Sequence, residues 1–187
     1  MILLTAFEPF GGSSTNPSQA LAEEFERRSF PNVHTQVLPT SYVRSAAILT
    51  ERLRTLRPSQ VVMLGLHGGA QHLRYEQVAL NLNHSAKADN DGETRLLRHI
   101  RPAGPVGYWN RLPYEALRNH AERLGETLEL SRDAGGFVCN HAFYTALDFA
   151  HTELPDCHVG FIHVPPFDAA REARLLAVLE AWLSYLG

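Results

Sequence analysis

The sequence predicts an α/β protein, a three-layer α/β/α sandwich around a mostly parallel, twisted sheet. Three observations carry this expectation. The runs "MILLTAF", "VVMLGL" and "VGFIHV" are strand-length and nearly continuous in apolar residues, as strands covered on both faces are. Segments of helical spacing separate these and the weaker strand candidates, so strand and helix alternate along the chain. No linker, low-complexity tract or internal repeat interrupts the alternation, and residues 1–187 read as one domain.

Each element has its own local reason. "MILLTAF" leads into "EPFGGSSTNPS", which is dense in turn formers. Asn16 and Pro17 then mark a helix start, asparagine as N-cap and proline as first helical residue. "SQALAEEFERRSF" continues that helix, with Ala20, Leu21 and Phe25 on one side. "HTQVLPT" is a short strand, and "SYVRSAAILTERLRTLRPSQ" a second amphipathic helix halted near Pro58. "VVMLGLHGG" is a buried strand ending in glycines. "YEQVALNLNHS" alternates apolar and polar residues, the pattern of a half-buried strand or hairpin arm. Residues from Ala86 to Arg101 read as a loop, and "GPVGYWNRLP" is too rich in glycine and proline for a regular element. "YEALRNHAERLG" is a third helix and "GFVCNHAFYTALDFAH" a short apolar entry to a fourth. "CHVGFIHVPP" is a strand stopped by two prolines, and "DAAREARLLAVLEAWLSYLG" closes the chain as a helix.

Composition narrows the function classes. The chain has 187 residues, 44% hydrophobic and 20% charged, with a net charge of −3, enough for a substantial core without covalent staples. Charges of both signs are interspersed and no basic run occurs, which argues against nucleic acid or an anionic membrane as partner. No apolar run approaches the ~20 residues of a membrane-spanning helix. The opening lacks a basic n-region and a small-residue cleavage site, so no signal peptide is expected. The two cysteines, Cys139 and Cys157, form no disulfide framework, and a cytoplasmic location is the simplest expectation. The ten histidines are scattered, none falls in H-E-x-x-H, and His67 and His72 flank a glycine turn rather than sharing a helix face, so no metal is expected.

Ligands of open α/β sheets bind beyond the carboxyl ends of the strands. The segments to search are therefore "FEPFGG", "GLHGGAQ", the region of Cys139 and "IHVPP". Cys139 falls in the first turn of the fourth helix, where unpaired N–H groups and the helix dipole favour a thiolate. A small buried hydrophobe is the alternative there. His163 stands where a strand gives out and could serve as base to that thiol, whereas His141 points away along the helix. Glu76 is a carboxylate able to orient an imidazole, or equally a solvated acid. Phe7 and Phe10 flank a proline before two glycines and could line a pocket for a small flat ligand, or belong to the core. No phosphate-loop pattern surrounds those glycines.

Together these segments resemble the pyroglutamyl peptidase type I family. "LLTAFEPFGGSSTNPS" is similar to its opening F-x-P-F-G-G…N-P motif, and "YEQVALNLN…DNDG" to its glutamate-bearing segment. "AGGFVCNHAFY" resembles its nucleophile segment and "GFIHVP" its histidine strand. The resemblance implies an α/β/α cysteine peptidase removing an N-terminal pyroglutamyl residue, with Cys139 as nucleophile, His163 as base and Glu76 as orienting acid. It implies substrate contacts from Phe7, Phe10 and Asn16, no cofactor, a peptide substrate beginning with pyroglutamate, and possible homo-oligomers. The chain departs from the family pattern in several places. Gln77 stands where arginine is usual after the glutamate. The A-R-I-P-D-N segment reads Ser85-Ala86-Lys87-Ala88-Asp89-Asn90, so Lys87 is the nearby cation. Leu66 and Ala70 replace a glutamine and an arginine, and the loop carrying P-E-Q is missing after "HVP". A catalytically silent homologue that binds an N-terminal group or small cyclic amide is the alternative these changes favour.

Overall fold

The computed structural model describes residues 1–187. In chain order the elements are β1 (Ile2–Phe7), α1 (Pro17–Arg27), β2 (Val33–Leu38), α2 (Tyr42–Leu56), β3 (Gln60–Leu66), β4 (Leu73–Leu80), β5 (Asn83–Ser85), β6 (Arg95–Arg98), β7 (Gly107–Trp109), α3 (Tyr114–Arg123), β8 (Leu128–Asp133), α4 (Val138–Glu153), β9 (His158–Val164) and α5 (Ala169–Leu186). The expected fold class is found. Seven strands form one sheet in the order β2-β1-β3-β9-β4-β7, with β8 also paired to β4. The β1–β2, β1–β3, β3–β9 and β4–β8 pairs are parallel, and only the β4–β9 and β4–β7 pairs are antiparallel.

Strand alternation divides the core in two. Ile2, Leu4 and Ala6 of β1, Val62 and Leu64 of β3, and Ile162 and Val164 of β9 face α1, α3 and α5. Leu3, Phe7, Val61, Met63, Val159 and Phe161 face α2 and α4. Each side buries about twenty residues, so both faces of the central strands are dry, which explains their lack of polar alternation. The helix starts follow the sequence signals. The Asn16 side chain accepts from Ser18 N–H with Pro17 behind it, Ser41 accepts from Arg44 N–H, and Asp168 accepts from Arg171 N–H. Helix α2 ends at Arg57 in the left-handed conformation, immediately before Pro58. No helix is long and apolar enough to cross a membrane.

Three strands escape the sequence reading. The segment read as a loop contains β6, which pairs with β5 in a separate two-stranded sheet. The glycine- and proline-rich "GPVGYWNRLP" contains β7, paired with Val78–Leu80 of β4. Gly107 permits that pairing, since a Cβ there would lie 2.7 Å from the Ala79 carbonyl oxygen. β8 ("LELSRD") carries three charges in six residues and lies along the β4 edge, where only two of its side chains are buried. β7 and β8 are defined by a partner strand distant in sequence and β6 by the short β5 across a loop, and in each case the local composition gives little strand signal. β4 also begins earlier than expected, at Leu73, and closes before the separate β5.

Candidate active site

The carboxyl ends of β1 and β3, the carboxyl end of β9 and the amino end of α4 converge on one cleft of about 260 Å³. Its lining includes Phe7 and Phe10, Asn16, Thr40, Leu66, His67, Lys87, Phe137, Cys139 and His163. Every site residue expected from sequence is therefore on the cleft wall except Glu76, which lies behind His163.

Cys139 is the second residue of α4 and half-buried. The N-cap, Phe137, has no side chain able to accept, so the first N–H groups of α4 carry no side-chain cap, unlike those of α1, α2 and α5. The helix start is pinned by the next two residues. Asn140, fully buried, accepts from Leu80 N–H and donates to the carbonyls of Leu80 and Leu82. His141 turns away from the cleft, its Nδ1 3.2 Å from Asn83 Oδ1, and burial, with the Arg95 charge adding to it, pushes its pKa down to about 4. On the other side, β3 approaches the sulfur through Gly65. A Cβ there would lie 3.0 Å from Cys139 Sγ and 2.6 Å from Phe161 Cζ, so only glycine fits.

His163 and Glu76 are brought together by the antiparallel β4–β9 register, in which Arg74 faces His163 and Glu76 faces Phe161. His163 Nδ1 is 2.7 Å from Glu76 Oε1, with the two residues only 4% and 1% exposed. The other ring nitrogen is left for the thiol side. Burial works against a charged imidazole, but hydrogen bonds to Cys139 and Glu76 outweigh it and raise the His163 pKa to about 9. The three side chains thus lie in contact although distant in sequence: a thiol, an imidazole able to exchange a proton with it, and a carboxylate that holds the ring.

The cleft walls are aromatic. The Phe10 and Phe137 ring centroids are 5.9 Å apart, and Phe7 packs on Phe161 at 6.4 Å. Lys87 Nζ sits 4.6 Å above the Phe10 ring, whereas Ala86 is exposed and outside the lining. The loop bearing Lys87 is held by Asp89, which accepts from Tyr42, Asp91 and Glu93 N–H, and by Asn90, which donates to Glu8 and Pro9. Asn16 lines the cleft while its side chain is engaged locally, accepting from Ser18 and donating to Glu8 O.

Sequence reasoning did not assign Phe137, Thr40 or His67 to the site. His67 had a usable signal, since "GLHGGAQ" ends a strand. Its ring lies 5.6 Å from that of His163 and nearly perpendicular to it, and its pKa is lowered by burial and then by the His163 and Arg74 charges. No three His, Cys, Asp or Glu side chains are grouped so as to hold a metal ion.

The profile of the pyroglutamyl peptidase family matches residues 1–172. Among curated relatives, the pyrrolidone-carboxylate peptidase of Gloeobacter violaceus is 39% identical over 166 residues, covering 88% of this chain and 80% of that protein. The corresponding protein of Halalkalibacterium halodurans is 36% identical over 168 residues, covering 88% and 83%. Among solved structures, the pyrrolidone carboxyl peptidase of Fervidobacterium islandicum superposes with a TM-score of 0.91 at 29% identity, covering 99% of this chain and 97% of that one. Pyroglutamyl peptidase I of Bacillus amyloliquefaciens gives 0.89 at 28% identity, covering 97% and 91%. The fold, the order of the motifs along it and the extent of the match agree: this chain belongs to the pyroglutamyl peptidase family.

Proposed function

We propose that the protein is a cysteine peptidase that removes an N-terminal pyroglutamyl residue from peptides, with Cys139, His163 and Glu76 as its catalytic residues. The observation that carries this reading is the convergence of Cys139 and the hydrogen-bonded His163–Glu76 pair on a cleft walled by Phe7, Phe10 and Phe137. At about 260 Å³ the cleft is slightly below the ~300–1,000 Å³ usual for small-molecule sites, a size suited to one small ring rather than an extended peptide. Flat phenyl faces suit a small planar ring such as a lactam.

The chemistry follows from the geometry. The Cys139 sulfur attacks the carbonyl carbon joining pyroglutamate to the next residue. A C–S bond forms, and the carbonyl π electrons move to oxygen. The uncapped N–H groups at the start of α4 are the donors available to that oxyanion. As the intermediate collapses, the C–N bond breaks and the His163 imidazolium gives its outer proton to the leaving amine. Water then attacks the thioester while neutral His163 takes its proton. Pyroglutamate leaves as the C–S bond breaks and its electron pair returns to the Cys139 sulfur, and the proton held by His163 restores the starting state.

Release of a fluorogenic amine from its pyroglutamyl derivative, beside the prolyl and glutamyl analogues, tests the reading. Wild type is expected to cleave only the pyroglutamyl compound, and Cys139→Ala none. Equal cleavage of the prolyl analogue, or full turnover by Cys139→Ala, rejects it.

A further inference from the structure

The hydrogen bonding around Glu76 does not close. His163 Nδ1 and Arg74 Nε both approach Oε1, at 2.7 and 3.6 Å, while Oε2 is buried without a partner. Arg74 Nε is buried and has no acceptor of its own. At 3.6 Å the contact is between charges and is too long for a hydrogen bond. Ser131 Oγ on β8, 2.9 Å from Arg74 Nη2, anchors the guanidinium there. Arg74 does not line the cleft, so it is not a substrate contact.

We propose that Arg74 is a positioning residue of the catalytic relay, keeping Glu76 a compensated carboxylate during the stage at which His163 is neutral. The proposal deepens the peptidase reading and rests on it. In the resting site the imidazolium neutralises Glu76 from 2.7 Å. Once His163 has given its proton to the leaving amine, that counter-charge is gone, and a carboxylate 1% exposed is left in a dry pocket. An unpaired buried carboxylate is strongly disfavoured, so Glu76 would pull against the release of the His163 proton. A guanidinium 3.6 Å from the same oxygen supplies the charge without taking the His163 hydrogen bond. The other ionisable groups facing His163 are Cys139 on α4 and His67 beyond β3, and neither is a permanent cation. Arginine at position 74 is therefore the one group able to hold the balance at every protonation state of its neighbours.

The test compares wild type with Arg74→Met, Arg74→Gln and Arg74→Lys, each checked for folding by circular dichroism. Two quantities are read: the pH profile of kcat with an activated pyroglutamyl ester, for which thioester hydrolysis limits turnover, and the NMR titration of His163. Without the cation, Glu76 holds the imidazolium more strongly. His163 should titrate about one unit higher, the lower end of what a charge within ~4–6 Å produces. The acid limb of kcat should move up with it, an approximately tenfold loss near pH 6 that is regained at alkaline pH. KM should change little, and Arg74→Lys should restore most of the profile. A loss of activity uniform across pH, an unmoved His163 titration, or a lysine variant as impaired as methionine overturns the proposal and leaves Arg74 a brace between β4 and β8. Wild-type protein that cleaves no pyroglutamyl derivative rejects the peptidase reading itself and this proposal with it, a result the wild-type arm shows without any variant.

Discussion

His163 shows how far one residue's chemistry depends on its two neighbours. Burial alone would lower its basicity, and the hydrogen bonds to Cys139 and Glu76 reverse that, giving a pKa of about 9 against an ordinary 6.5. An imidazole so held is charged at neutral pH and can give a proton to a leaving amine. Replacing Glu76 by glutamine keeps the shape and removes the charge, so His163 in Glu76→Gln should titrate at lower pH by NMR, with a residual turnover remaining. The stability consequence has a definite sign. The fold favours the charged ring, so its contribution is complete below about pH 6.5 and disappears as pH rises through about 9. The destabilisation of Glu76→Gln in urea unfolding should therefore be largest near pH 6 and shrink toward pH 9.5. A destabilisation independent of pH would mean that the pair is held by packing and not by charge. Lys87 belongs to this scale too. The cation nearest the aromatic wall sits at 87, over Phe10, while Ala86 beside it faces solvent, so a side chain at 87 reaches the cleft and one at 86 does not.

Three elements meet at Cys139: β3 passes beneath it, α4 carries it, and β9 supplies the Phe161 and His163 rings, 4.8 Å apart. Their spacing is set by the missing side chain at Gly65. Alanine there would force Phe161 and the Cys139 sulfur apart, an overpacking cost of ~1–3 kcal/mol by analogy with other filled cores. Gly65→Ala should thus lower the urea midpoint modestly and slow alkylation of Cys139 together with turnover. Unchanged alkylation and turnover would show that β3 yields instead of the sulfur. The clasp of Asn140 onto the end of β4 argues against such yielding at the helix, because shifting α4 would break three hydrogen bonds of a fully buried side chain.

Across the whole molecule the two thiols occupy opposite situations. Cys139 opens onto the cleft, whereas Cys157 is buried in the core on the α2 and α4 side, where burial raises its pKa to about 11. Thiolate is the reactive species, so native protein at pH 7.5 should take up a single equivalent of iodoacetamide, at Cys139. Labelling of Cys157 should follow global unfolding, coinciding with the circular-dichroism transition in urea. Mass spectrometry of peptides containing each cysteine reads both. Rapid labelling of Cys157 in native protein would point to local opening of the turn before β9. The reason to expect one transition is that the site draws on residues from Phe7 to His163, tied through a single sheet, so it forms only when the sheet does.

The sequence by itself determined the alternation of strands and helices, the cap at Asn16 with Pro17 after it, and the doubly buried central strands, and it singled out Cys139, His163 and Glu76 as site candidates. These are legible because apolar period, turn chemistry and motif spacing are local properties of the chain. The stretch around Cys139 alone leaves open whether it is a nucleophile or a core thiol, and only the resemblance of the motifs taken together implies the first. Only the tertiary structure decided that β6, β7 and β8 are strands, since their pairing partners lie elsewhere in the chain and their own composition gives little strand signal. It alone brought His163 to Glu76 across 87 residues, placed Phe137 and His67 on the cleft wall, and set Arg74 against the same carboxylate. Those juxtapositions depend on strand register and on which face each residue presents. Register is fixed by the packing of all seven strands and five helices at once, and no local window of sequence contains it.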